Sequence, residues 1–264
     1  MSLLNTAEVT HALACCSYWP DEGAKGMTFP GLFAELAQAY QAKYHIDNEQ
    51  LRNMLAHITA LNYRNGIQNP LAHFGPGSLP DKNQLLTAEA ILNLPELGKG
   101  GNPLVAPPLR LHDCSLITDG AAAVVLTPTE GAKTEFKHVV ELAGIGHATE
   151  RMMIKERRKN LAELGGAKYA VNQACSEAGI EIEDLNFAEV HDCFTINEML
   201  CIEAMGLSKP GQAGYDFMES KYDPDGGCPI NLSGGLKAKG HPVGATGASM
   251  HALAYKQLIG SPIG

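Results

Sequence analysis

The chain has 264 residues, 45% of them hydrophobic, which is enough for one large domain or two modest ones with cores of their own. Charged residues make up 19%, and 28 glycines against 15 prolines point to many tight turns, which excludes a disordered chain, a collagen-like repeat and a coiled coil. Twenty Lys and Arg against 29 Asp and Glu leave a net charge of −9 with no basic stripe, so nucleic acid is not an expected partner.

No run approaches the roughly 20 apolar residues of a membrane helix. Residues 1–5 carry neither the charged nor the apolar segment of a signal peptide. Seven cysteines without a CxxC pair read as reduced, intracellular usage, so the expected location is cytoplasmic.

The predicted elements begin with a helical, loop-rich first hundred residues. Over 30–40, Leu32, Phe33, Leu36 and Tyr40 fall at helical spacing, with Pro30 in the first turn, where proline is tolerated. Asp47-Asn48-Glu49-Gln50 reads as the cap of a second helix running through Leu51, Leu55 and Ile58 to Asn65-Gly66. Residues 69–108 are proline-rich and irregular, with one short helix over 88–92. Near residue 113 the pattern changes. Residues 119–126 (DGAAAVVL) are a turn and then a small-residue and β-branched run, which predicts a strand buried on both faces. A second strand is predicted over 136–145, a helix over 162–178 ended by Gly179, a short strand over 185–191 and an amphipathic helix over 194–205. A glycine-rich segment, 226–240, leads to a last helix over about 243–258. Strands alternating with helices predict an α/β core, with the first hundred residues as a helical insertion or cap.

Chemistry concentrates in two motifs. In residues 234–247 (GGLKAKGHPVGATG), five glycines remove side chains where a ligand or neighbouring backbone must come close. His241 precedes Pro242, so its backbone is biased to extended geometry just before the predicted helix. A histidine there can polarise a carbonyl or act as a base, and N–H groups at the helix start favour an oxyanion. His191-Asp192-Cys193-Phe194 lies at the end of a predicted strand, where ligands bind in open α/β sheets. His and Cys are the side chains most readily tuned for proton transfer and nucleophilic work near neutral pH.

These residues resemble the thiolase superfamily, whose last histidine motif reads GHPxGA[TS]G, and are most similar to the sterol-carrier-protein type, which has HDCF where other thiolases have NEAF. Residues 119–126 are similar to that family's DGAAAVVL strand, and 26–33 suit its loop domain. The resemblance implies an α/β thiolase fold, a mixed sheet sandwiched by helices. Its parts would be a loop domain over 1–110, the last strand region of the N-terminal half over 111–132, and a C-terminal half over 133–264. The implied activity is acyl transfer between coenzyme A thioesters, by Claisen condensation or thiolysis through a cysteine acyl-enzyme. The implied partners are acyl-CoA, coenzyme A and a second copy of the chain, and no cofactor or metal beyond the thioester substrate is implied.

By position in the motifs, His241 would activate the nucleophile and donate to the thioester oxygen. His191 would help build the oxyanion site, and Cys193 would move a proton at the substrate α-carbon or leaving thiol. Met27, Ser115, Leu116 and Gly240 fall where the family lines its pantetheine channel. The family's nucleophilic cysteine has no counterpart here: Cys15-Cys16-Ser17 lies in the part resembling the loop domain and reads as a structural, buried pair. The family's closing strands are absent too. The chain is therefore expected to be the middle and C-terminal portion of a longer protein, with apolar faces left uncovered.

Other readings stay open on the residues alone. His112-Asp113-Cys114 and His191-Asp192-Cys193 could together offer two imidazoles and two thiolates to zinc, though not in knuckle spacing. Asp223-Pro224-Asp225-Gly226-Gly227 is similar to a calcium loop without its glutamate and reads as a turn. The basic run 151–159 reads as a solvated helix face or as a grip on coenzyme A phosphates through Arg157 and Arg158. A cysteine hydrolase built on Cys193 and a non-catalytic acyl-CoA-binding or partner-binding module are the competing functions.

Overall fold

The computed structural model describes residues 6–78, 85–157 and 161–263. In chain order the helices are α1 (Thr6–Ala14), α2 (Phe29–Tyr44), α3 (Asn48–Gly66) and α4 (Ala88–Leu92). A small hairpin follows, β1 (Leu104–Ala106) and β2 (Leu109–Arg110), paired antiparallel around the cis Pro107–Pro108 peptide. Then come α5 (Thr129–Glu135), α6 (Ile154–Arg157), α7 (Gly165–Ala178), α8 (Thr195–Met205), α9 (Ala213–Met218), α10 (Gly235–Lys239) and α11 (Thr246–Leu258). The result is a helix-rich α/β chain with a small sheet.

Local sequence explains the best-formed elements. Thr28 caps α2 by accepting the Gly31 N–H at 3.2 Å, and Pro30 sits in the first turn as its fixed φ allows. Asp47 starts α3 with a reciprocal capping box: its carboxylate accepts the Gln50 N–H at 2.8 Å, and the Gln50 side chain accepts the Asp47 N–H at 3.0 Å. α7 and α8 each end on a left-handed glycine, Gly179 and Gly206.

α3 is buried on nearly every side. Its Leu51, Met54, Leu55, Ile58 and Leu61 join Tyr40 of α2 and Ile196, Met199 and Leu200 of α8 in one core. Thr59, Asn62 and Asn65 are buried as well, and its polar residues bond to later segments of the chain. Thr59 donates to the His112 carbonyl at 2.9 Å, and Asn65 donates to the Asn231 carbonyl at 3.0 Å. Arg64 holds both oxygens of Asp223 at 3.0 and 2.9 Å, so the turn that resembled a calcium loop has its first carboxylate taken by a guanidinium. Buried polar groups must be paired, so this face fixes how α3 sits.

The strand expectations are corrected in part. Residues 119–126 do not form a buried strand: the segment pairs in no ladder, and Val125 and Leu126 are 94% and 81% exposed. A strand needs a neighbour for its N–H and C=O groups, and among the described residues none lies alongside. Residues 136–145 are likewise without a ladder, with Phe136, Leu142 and Ile145 exposed. Part of that segment lies along α7. The Ile145 N–H donates to Glu177 at 2.9 Å, and a Cβ on Gly146 would meet the Ala170 carbonyl at 1.6 Å, so only glycine permits the approach. The strand over 185–191 reduces to one parallel bridge, Ala188 to Ile230. The last helix begins at Thr246, three residues later than expected. Cys15 and Cys16 are exposed beyond the end of α1, not buried, because the turn there faces solvent.

Candidate active site

The two motifs meet. The rings of His191 and His241 stand edge to face with centroids 5.0 Å apart. Residues 114–118 thread between them: Cys114 bridges to Phe194, the Ser115 N–H donates to the Cys193 carbonyl at 2.9 Å, and Ile117 bridges to His241. Backbone pairing thus brings Ser115 and Leu116 to the seam between the HDCF and GHP segments.

The glycine-rich arm is held from below. The Asp192 carboxylate accepts the backbone N–H groups of Leu236 at 2.7 Å and Lys237 at 3.0 Å. Gly235 lies at φ +58 with room for no Cβ, since one would stand 2.2 Å from Asp192 Oδ2. Gly240 has φ +111, and a Cβ there would meet His73 at 2.8 Å and Thr118 at 3.2 Å. These glycines let the arm turn tightly enough to deliver His241.

His241 is 9% exposed, and its Nδ1 lies 2.7 Å from the Thr246 hydroxyl. That hydroxyl also lies 3.1 Å from the Pro242 carbonyl, so its one proton has two acceptors in reach. With the hydroxyl donating to Pro242, Nδ1 is the donor to Thr246 and Nε2 keeps its lone pair; with it donating to the ring, Nε2 carries the hydrogen. Burial, then His191 and Lys239, pull the His241 pKa down to about 4, so the ring is neutral near pH 7. His191 is open to solvent, yet desolvation and Lys239 also lower its pKa. Lys239 itself is a buried cation, 3.7 Å from Glu189.

Two of the N–H groups at the start of the last helix are engaged within the turn. Those of Ala245 and Thr246 both donate to the Pro242 carbonyl, at 2.8 and 3.0 Å.

Cys193 is 1% exposed within the main core, and burial, then Asp192 and Cys201, push its thiol well above the usual range. It is a neutral thiol, able to give a proton but not standing as a thiolate. Burial likewise pushes the thiols of Cys114 and Cys201 up to about 12. Met27 is half-buried at the turn before α2, and the link to the site runs through that helix, whose Phe33 stacks on Phe194 at 4.3 Å.

Among the described residues no group of three or more His, Cys, Asp or Glu is placed to hold a metal ion. His112 instead lies 2.8 Å from the Tyr63 hydroxyl, and burial, then Lys237, lowers its pKa to about 4. Arg151 pairs with Glu156 and Arg157 with Glu150, while Arg158 and Lys159 lie outside the described residues. A cavity of about 320 Å³ opens between α2, α3 and the hairpin, lined by Gln41, Arg52, Leu55, Pro107, Arg110 and Asp113 among others, and none of His191, Cys193 or His241 lines it.

Sequence reasoning missed four contributors: Asn62, Asp192 as an anchor, Thr246 and Lys239. The last three lie inside the motifs. Asn62, more than a hundred residues away, carried no signal.

Residues 146–262 match the family described as Thiolase C-terminal domain-like. Over 98% of its length the chain is 35% identical to the acetyl-CoA acetyltransferase of Methanothermobacter thermautotrophicus, covering 62% of that protein. The chain carries a thiolase C-terminal-like domain and is similar to thiolases along nearly its whole length. Superposed on the Ltp2–ChsH2(DUF35) aldolase, the chain gives a TM-score of 0.74 at 18% identity, covering all of itself and 62% of that chain. Against the monomeric SCP2-thiolase-like protein type 1 of Mycobacterium smegmatis the TM-score is 0.59 at 20% identity, over 86% and 44% of the two chains. These likenesses give the thiolase fold. The chain spans about three fifths of the length of the first curated relatives it matches. No helix among the described residues is long and apolar enough to cross a membrane.

Proposed function

We propose that this chain contributes the histidine side of a thiolase-type acyltransferase site acting on coenzyme A thioesters. The observation that carries the reading is the pair of neutral imidazoles 5.0 Å apart, one with its Nε2 lone pair free when Nδ1 donates to Thr246. A thioester carbonyl oxygen facing a ring N–H of His191 would be stabilised as it gains charge, while the His241 lone pair faces the attacking thiol. His241 Nε2 can take the proton of an attacking thiol; the thiolate adds to the carbonyl carbon, and coenzyme A leaves as the thiol when that proton is returned. In condensation, a base removes an α-proton of the second thioester, and Cys193, as a neutral thiol, would have to lose its proton first to do so.

The acylated cysteine in this reading is one that the chain does not contribute: among the described residues none of the seven thiols hydrogen-bonds to either imidazole. That same observation favours a second reading, in which the chain holds acyl-CoA without covalent turnover. The proposal includes Met27, Ser115, Leu116 and Gly240 along the pantetheine path, a homodimer in the cytoplasm, and no cofactor.

The test is to incubate the purified protein with acetyl-CoA in deuterated buffer. Gain of one acetyl group in the intact mass supports acyl transfer. Deuterium entering the acetyl methyl without an adduct shows enolate stabilisation by the imidazoles alone. Tight binding with neither leaves the binding reading standing.

A further inference from the structure

Beneath the arm that carries His241, two buried carboxylates meet at one amide. The Nδ2 of Asn62 lies 2.7 Å from Glu198 Oε2 and 3.3 Å from Asp192 Oδ2, so both of its hydrogens are given to acids. Glu198 is fully buried and Asp192 is 1% exposed. Neither forms an ion pair: the nearby ammonium of Lys239 sits on Glu189. Two like charges that share a donor in a dry interior cannot both ionise without a large desolvation and repulsion cost.

The hydrogen bonds decide which one keeps its charge. Asp192 accepts three N–H groups, from Leu236, Lys237 and Asn62, and is well satisfied as an anion. Glu198 accepts one at hydrogen-bond distance; its Oε1 and the Asn62 Oδ1 are buried without a partner, and the unpaired amide of Asn231 is the one further donor facing the Glu198 carboxyl among the described residues. We propose that Glu198 stands protonated in the folded chain and, with Asn62, forms a buried relay that positions ionised Asp192 and through it the His241 arm. A carboxylic acid and an amide match donor for acceptor. Protonation thus supplies the hydrogen that one of the two orphaned acceptors needs, and it removes one of the two charges.

The groups around the relay point the same way. Glu198 faces Asp192 and Glu189 from the 185–192 segment, Asn62 from α3, Asn231 from the following loop and Cys201 from its own helix, so each charged group facing it is negative. The cation Lys239 acts on Asp192. Burial, then Asp192, raises the Glu198 pKa well above its ordinary value, in keeping with the geometry. Glu198, Asn62 and Asp192 are positioning residues: they act on His241 through the backbone at 236–237. The inference deepens the reading of His241 as a working group, yet its test needs no substrate, so it stands or falls apart from acyl transfer.

The test compares Glu198→Gln, Glu198→Ala and Asp192→Asn in the whole chain. Glu198→Gln copies the shape of the neutral acid. It should fold, match the wild type in urea midpoint at pH 5, and abolish a protonated-carboxyl band seen in the infrared spectrum of the wild type. A glutamate held protonated gives stability that is full below its ordinary pKa and lost as pH rises through the folded value. The wild-type midpoint should therefore fall with rising pH, and the Glu198→Gln midpoint should fall less. Asp192→Asn should move the His241 ring titration, followed by NMR, up from about 4 towards 6.5. The proposal is overturned if the wild type lacks that band, or if Glu198→Gln is as destabilised as Glu198→Ala. A folded Asp192→Asn variant with an unmoved His241 titration would overturn the positioning role. If that variant does not fold, the infrared and midpoint comparisons still decide where the proton lies.

Discussion

His241 Nδ1 and the Thr246 hydroxyl lie 2.7 Å apart across one turn of chain, and the proton count of that contact sets the chemistry of the ring. With Thr246 giving its own proton to Pro242, the imidazole donates at Nδ1 and the basic nitrogen is the one turned away from Thr246. Thr246→Val keeps the shape and removes the acceptor. A hydrogen bond of this kind contributes about 1 kcal/mol net, so exchange of the acetyl-CoA methyl protons should slow on the order of tenfold. Thr246→Ser should restore most of the rate. Equal rates in the wild type and the Val variant would show that the tautomer is set elsewhere.

Removing either imidazole tests whether the pair works together. His241→Ala and His191→Ala should each lower that exchange by on the order of a hundredfold, the usual size of a proton-transfer or oxyanion contribution. The double variant should be little worse than either single one, since groups that act as a unit are not additive. Additive losses in the double variant would mean that the two rings act on different steps.

The acid side of the pH profile follows from burial. His241 titrates at about 4 when folded against an ordinary 6.5, so the unfolded chain binds the proton first. The stability this contributes is full above pH 6.5 and is lost as pH falls towards 4, up to about 3 kcal/mol. His112, also lowered to about 4, adds a second loss over the same range. Urea midpoints measured between pH 7 and 4 should therefore fall, and His241→Gln should flatten part of the slope. A base that works neutral also predicts exchange that is flat above pH 6 and declines below about 4. An unchanged midpoint slope in His241→Gln would show that the ring is not buried neutral.

The helices were legible because their signals are local. Asp47 and Gln50 cap α3 three residues apart, and Gly179 ends α7 as a glycine in the left-handed region should. The strands misled because a β-branched run states only that a segment can be extended; Val124-Val125-Leu126 needs a neighbour before it becomes a strand. The two imidazoles were found because each lies in a short, glycine-marked or strand-end motif. Asn62 was not found, because what gives it a role is the approach of Asp192 and Glu198 from 130 and 136 residues away.

Gly240 offers a direct test of the arm's geometry. It lies at φ +111, where side chains are strained, and a Cβ would stand 2.8 Å from His73. Gly240→Ala should cost about 1–3 kcal/mol and shift the NMR signals of both imidazoles, since its neighbour carries one of them. A variant with wild-type midpoint and unshifted rings would show that the arm relaxes without moving His241.

The exposed segment makes the opposite prediction. Val124, Val125 and Leu126 are 44%, 94% and 81% exposed, so they contribute little to this chain's own core. Replacing Val125 and Leu126 together by lysine should leave the urea midpoint within about 0.5 kcal/mol of wild type, as for other surface changes. Ile58→Ala, in the fully buried face of α3, should cost about 2–5 kcal/mol by contrast. The same double variant removes apolar, unpaired backbone-edge surface of the kind that seeds association, so it should lower light scattering at high protein concentration. A loss of more than about 1 kcal/mol in the double variant would mean that residues 124–126 pack within the chain in solution, and the unpaired segment would then not describe the folded state.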